Sequence, residues 1–217
     1  MGEGVNLSRM TLLLVTVAIS VSLITATGCR LIAAPVMMWG KEPTKDIPAE
    51  YPYLQGKQVL ILVWADPETI FEYPWVQLEI SEHVATAMKP NITGIDFVTS
   101  RTVYDYQRSK PEWERTDPAV LGDHFKADRV LMIELTQYTT REPDSPHLYR
   151  GRIMANVKVY DVAYKNAAPT YRTMVETVYP KESAGEWGTD DVSIRRATME
   201  AFGQDVAGKF FDRQVKK

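Results

Sequence analysis

The chain has 217 residues, 45% of them apolar and 24% charged, with 25 Lys and Arg against 28 Asp and Glu for a formal net charge of −3. That balance suits a globular protein and excludes a disordered one, and so weak a field argues against nucleic acid and against steering onto anionic lipid. The one cysteine, Cys29, excludes an internal disulfide, so the fold rests on its hydrophobic core.

At the amino end Arg9 precedes the apolar run Thr11 to Ala26, and the small residues Ala26-Thr27-Gly28 lead into Cys29. A charged start, an apolar middle and a small-residue cut site are the parts of a secretory leader. The pattern resembles that of bacterial lipoproteins, which implies a leader over residues 1–28 and a diacylglyceryl group plus an amide-linked acyl chain on Cys29. Several acyl chains together anchor a protein stably to a bilayer, where one alone does so only marginally. Arg30 follows the cysteine in place of the Asp that the lipoprotein pattern associates with inner-membrane retention, so the resemblance implies the periplasmic face of the outer membrane. The alternative is an uncleaved anchor, since Met10 to Thr27 approaches the roughly 20 apolar residues that span a bilayer.

Residues 29–56 contain Pro35, Pro43, Pro48 and Pro52 and little periodicity, and they read as a tether. A flexible segment of that length spans on the order of 30 Å on average.

From residue 57 to 217 the pattern is one α/β domain. Val59 to Trp64 is a continuously apolar, β-branched run, as in a strand buried on both faces. Pro74 to Lys89 places Val76, Ile80, Val84 and Met88 at four-residue spacing, which predicts a helix with one apolar face. A short strand follows at Gly94 to Val98, then a helix capped by Ser100 and running to about Ser109, then a polar loop with Pro111 and Pro118. Asp117 begins another helix through Val120, Leu121 and Phe125. Ala127 to Leu135 is a second continuously apolar strand, expected beside the first.

Beyond Tyr149 the rhythm is strict alternation, with Ile153, Ala155, Val157 and Val159 on one face, which predicts a half-buried antiparallel strand. A turn at Tyr164 to Pro169 returns the chain through Tyr171 to Tyr179 as a hairpin. The segment Thr139 to His147, with Pro143 and Pro146, reads as a solvated loop. The last element is a helix from Asp190 to about Gln214 with Ile194, Ala197, Ala201, Val206 and Phe210 as its buried stripe. The sum is a mixed sheet of about five strands, the early ones parallel, with helices packed over it and a carboxy-terminal antiparallel hairpin followed by a long final helix.

Val59 to Trp64 with its following helix, His124-Phe125-Lys126-Ala127-Asp128-Arg129-Val130-Leu131-Met132-Ile133-Glu134, and Val157-Lys158-Val159-Tyr160-Asp161-Val162 together are similar to the α/β domain shared by the curli-secretion lipoprotein, the penicillin-binding-protein activator lipoproteins and the amino-terminal domain of TolB. The resemblance covers roughly Gly56 to Lys217 and implies a periplasmic domain that works through protein partners.

Candidate chemistry is sparse. Glu79 and His83 lie four residues apart on one helical face, a spacing that offers two metal ligands but more commonly a solvated helical pair. Asp66 and Glu68 follow the first strand, where open α/β sheets place ligand crevices, yet a Pro-containing turn accounts for them as well. No Gly-x-Ser-x-Gly and no glycine-rich phosphate loop is present. The expectation is therefore no catalytic residue, no metal and no cofactor. Trp64, Phe71, Tyr73 and Trp75 share one strand-to-helix connection, and aromatics of this kind either seal a core or form an interaction surface. The functional expectation is a non-enzymatic, membrane-anchored interaction or assembly module of the cell envelope, with the bilayer and an envelope protein as partners and self-association as a further option. The alternative is a lipid-anchored hydrolase using Asp66, Glu68, Glu79 or His83, or a small-molecule-binding domain at the strand-end crevice.

Overall fold

A computed structural model of the chain describes residues 44–142, 145–165, 168–182 and 190–216. Cys29, the leader and the first part of the tether lie outside the described residues. The chain divides into two compact units, residues 46–214 and residues 1–45 with 215–217. Of the second, Thr44–Lys45 and Val215–Lys216 are described, and they are extended. The first unit holds everything that follows.

Its centre is a five-stranded mixed sheet. The strands are β1 (Gln58–Trp64), β2 (Asp96–Phe97), β3 (Arg129–Glu142), β4 (Ser145–Asp161) and β5 (Tyr171–Tyr179), in the order β2-β1-β3-β4-β5. β1 is parallel to both neighbours, with Val59 opposite Phe97 on one side and Arg129 on the other. β3, β4 and β5 are antiparallel in turn. The helices are α1 (Pro67–Glu72), α2 (Val76–Met88), α3 (Ser100–Ser109), α4 (Pro118–His124) and α5 (Asp191–Ala207), with a 3-10 turn at Pro111–Arg115.

Period-two alternation divides β1 between two cores. Val59, Ile61 and Val63 join Val76, Ile80, Val84 and Met88 of α2 and Met199, Phe202 and Val206 of α5 in the larger one. Leu60 and Leu62 point to the other face, where Val103 of α3, Trp113 of the 3-10 turn and Leu121 of α4 cover them. A strand buried on both sides must be apolar throughout, which is why Val59 to Trp64 has no polar member. Ile153, Ala155, Val157 and Val159 of β4 are fully buried on the α5 side, as their alternation predicts.

Several boundaries differ from the expectations. The tether ends before Gly56: Leu54 and Tyr51 are buried in the larger core, Ala49 N donates to Asp212 Oδ1, and the Glu50 and Tyr51 amides both donate to Lys209 O. Prolines without periodicity read as a connector, but Pro48 and Pro52 flank the buried Tyr51, and buried Leu54 follows. The segment Thr139 to His147 is strand on both sides of its tip, because β3 continues to Glu142 and β4 begins at Ser145; its Pro143 lies outside the described residues. Thr140 in this extension is buried and donates to Asp191 Oδ1 at the start of α5. α5 is shorter than expected, ending at Ala207, and its buried stripe is Ile194, Thr198, Met199, Phe202 and Val206, with Ala197 and Ala201 only half-buried. Small alanines mark the boundary of the stripe and not its centre.

Candidate functional site

β1 ends at Trp64, and Asp66 then starts α1. Its Oδ1 accepts from the amides of Glu68 and Thr69, each at 3.0 Å, and its Oδ2 accepts from Thr69 Oγ1 at 2.6 Å. This is an N-cap with Pro67 at the first helical position. The Thr69 hydroxyl, then its amide, hold the Asp66 carboxyl below the ordinary range. Asp66 is thus committed to turning the chain, and Glu68 is exposed beside it.

α1 fully buries none of its own residues, and it is placed by its ends and by half-buried Ile70, which packs on the larger core. At its carboxyl end Tyr73 turns inward: the ring stands edge-on to Tyr138 of β3 at 4.8 Å, and its hydroxyl is 3.2 Å from Thr140 Oγ1. With Tyr73 7% exposed, the residues around it are forced outward, and Phe71 is 88% and Trp75 44% exposed. Trp64 is half-buried against the smaller core. The aromatics of this connection therefore divide: Tyr73 and Trp64 pack, Phe71 and Trp75 face out.

Trp75 does not stand alone. Its ring lies 5.3 Å from that of Tyr104 on α3, and the Arg101 guanidinium is 5.5 Å from its centroid. Tyr104 Oη donates to Pro74 O at 2.9 Å and accepts from Arg108 Nη1 at 3.2 Å. These contacts join α3 to the turn before α2. Ile70, Phe71, Pro74, Gln77, Tyr104 and Arg108 line an open groove of about 420 Å³. Apolar rings flanked by guanidinium groups are a chemistry suited to a protein partner, since Trp, Tyr and Arg concentrate interface energy. Arg101, Tyr104 and Arg108 were not among the residues singled out from the sequence. Their three- and four-residue spacing on one helical face is the signal that links them.

The acids and histidine considered for metal or acid–base chemistry do not converge. Glu79 is 3.7 Å from Arg195 of α5, across the α2–α5 packing and away from the Asp66 cap. His83 is half-buried one turn further along α2, where its backbone carbonyl meets Gly203 of α5. Among the described residues no group of three His, Cys, Asp or Glu side chains stands close enough to hold a metal ion.

No protein-family model matches the chain and no curated relative matches it. Among solved structures it is similar to the PelC dodecamer from Paraburkholderia phytofirmans, at 10% identity and a TM-score of 0.41 over 75% of this chain and 96% of that one. It is also similar to the lipoprotein GNA1162 from Neisseria meningitidis, at 13% identity and a TM-score of 0.42 over 63% of this chain and 89% of that one. A third is a minor lipoprotein from Acinetobacter baumannii, at 10% identity and a TM-score of 0.35 over 76% of this chain and 99% of that one.

Proposed function

We propose that the protein is a lipid-anchored, non-enzymatic interaction module of the cell envelope. It is tethered through acylated Cys29 at the periplasmic face of the outer membrane and docks an envelope protein on the Phe71–Trp75 surface. One observation carries the docking part: Phe71 and Trp75, neighbours in one connection, are 88% and 44% exposed although Tyr73 between them is buried. Phe71 gives the fold little and a partner much, and Trp75 offers the exposed part of a ring stacked on Tyr104. Ala26-Thr27-Gly28-Cys29 and Arg30 support the anchor and its membrane. The order of strands and helices supports the same fold group as the curli-secretion lipoprotein, the penicillin-binding-protein activators and the TolB amino-terminal domain.

Cross-linking in cells followed by pull-down tests the docking surface. The double variant Phe71→Ala with Trp75→Ala is expected to lose the captured envelope protein, and Phe71→Ala alone to weaken capture while folding normally; full retention by the double variant overturns the assignment. Intact-mass measurement of the native product tests the anchor, with an acylated Cys29 expected and a free thiol on an uncut leader contradicting it.

A further inference from the structure

The two edges of the sheet are unlike. β2 is two residues long, too short to template another strand. β5 runs for nine residues in unbroken register with β4, from Tyr171 opposite Val159 to Tyr179 opposite Gly151. No strand among the described residues pairs with its far side. Soluble proteins blunt such edges with Lys, Pro, a bulge or shortness. Tyr171-Arg172-Thr173-Met174-Val175-Glu176-Thr177-Val178-Tyr179 has no Lys, Pro or bulge, its two charges, Arg172 and Glu176, are of opposite sign, and it is mostly aromatic and β-branched, the residues that suit strand pairing.

The charges on the open face of β5 are arranged for a second strand. Arg172, Met174 and Glu176 are exposed there. Glu176 accepts from Arg152 of β4 at 3.0 Å through one oxygen, Oε1. Arg172 has the opposite circumstance: its register partner on β4 is Lys158, whose ammonium is spent on Glu134 at 2.6 and 2.7 Å. The diagonal neighbours on β4, Asn156 and Tyr160, carry no carboxylate. Like charges directly across a strand pair are unfavourable, so Arg172 faces a cation on its own side.

We propose that β5 pairs antiparallel with β5 of a second copy about a two-fold axis at Met174. In that register Arg172 of each copy stands opposite Glu176 of the other on the same sheet face, and Met174, 60% exposed, packs on its counterpart. Glu176 Oε2 is the oxygen that receives the incoming guanidinium, in a groove that Lys181, Lys209 and Arg213 also line. An axis at Val175 sets Arg172 against Val178 and Glu176 against Met174, leaving Arg172 without an opposite charge, so the charges select Met174. The interface is isologous and closed, as two-fold symmetry requires, and it joins the two sheets into one.

The test uses the full chain, solubilised in detergent, with its oligomeric state read by sedimentation. Wild type is expected to dimerise. Arg172→Glu and Glu176→Arg are each expected to raise the dimer Kd about tenfold, and the double reversal to return it toward the wild-type value. In membranes, oxidised Met174→Cys is expected to cross-link to a dimer and Val178→Cys, whose opposite residue is Thr170, is not. A monomeric wild type, a dimer indifferent to both single reversals, or equal cross-linking at 174 and 178 overturns the proposal. Should Glu176→Arg fail to fold because it also loses Arg152, Arg172→Glu with the two cysteine variants decides the matter.

Discussion

Gln77 of α2 and Gln107 of α3 donate to the same atom, the carbonyl oxygen of Val63, at 2.8 and 3.0 Å. The reason lies in the shortness of β2. Val59 O accepts from Val98 N on that side of β1, and by the strand's period of two Val63 O faces the same way, where β2 has already ended. A buried carbonyl without a partner is costly, and two buried amides supply what the missing strand does not. The same two bonds hold the amino half of α2 and the carboxyl half of α3 at the end of β1, beside the Trp75–Tyr104 surface.

Replacing either glutamine by Leu is expected to lower stability by about 1 kcal/mol, because one donor remains. Replacing both is expected to cost more than the two single losses added, since the carbonyl is then buried unpaired. Urea denaturation of the three variants measures the difference, and simple additivity counts against the shared-acceptor account.

Gly203 sets how closely α5 approaches α2. A Cβ there would come within 2.8 Å of the His83 backbone oxygen and 2.9 Å of its carbon, neither of which can swing aside as a side chain would. Gly203→Ala is therefore expected to destabilise the fold by about 1–3 kcal/mol through overpacking, despite the better helix propensity of Ala. A thermal melt unchanged or raised would show that the helices separate freely.

Stability and docking should separate at the aromatic connection. Phe71→Ala is expected to change folding stability by less than about 0.5 kcal/mol, as exposed substitutions do, and still to weaken partner capture. Tyr73→Ala removes a buried ring packed on Tyr138 and should cost about 3–5 kcal/mol. Chemical denaturation and pull-down on the same two proteins check both halves.

The acid limb of stability is expected to depend on Glu50. Lys209 Nζ donates to its Oε1 and Tyr171 Oη to its Oε2, each at 2.6 Å, and these bonds hold its carboxyl below the ordinary value of 4.5. A carboxyl depressed in the folded state stabilises it fully above the unfolded value and loses that contribution as pH falls through the folded value. Glu50→Gln should thus narrow the stability difference between pH 7 and pH 3 in denaturation curves. At the alkaline end the sign is reversed: burial pushes the Tyr138 and Tyr171 phenols well up. Both stay neutral in the fold while unfolded tyrosines ionise above about pH 10, so stability should fall there, and Tyr138→Phe should flatten that decline.

Local pattern by itself determined which faces are buried wherever one period runs unbroken. Val76, Ile80, Val84 and Met88 on α2 and Ile153, Ala155, Val157 and Val159 on β4 repeat at 3.6 and at 2, so each element can bury only that side. It likewise determined the two-sided burial of β1 and the parallel pairing of β1 with β3. Contacts between distant segments decided the rest. Whether Phe71, Tyr73 or Trp75 faces solvent depends on Tyr73 reaching Thr140 of β3, a residue 67 positions away that no local rhythm selects. The phase of α5 depends on a glycine that lets it press on α2, and the core role of Tyr51 and Leu54 on bonds to Lys209 and Asp212 near the far end of the chain. A period states which residues can be hidden together, and only the assembled neighbours determine which of several equally apolar side chains have something to hide against.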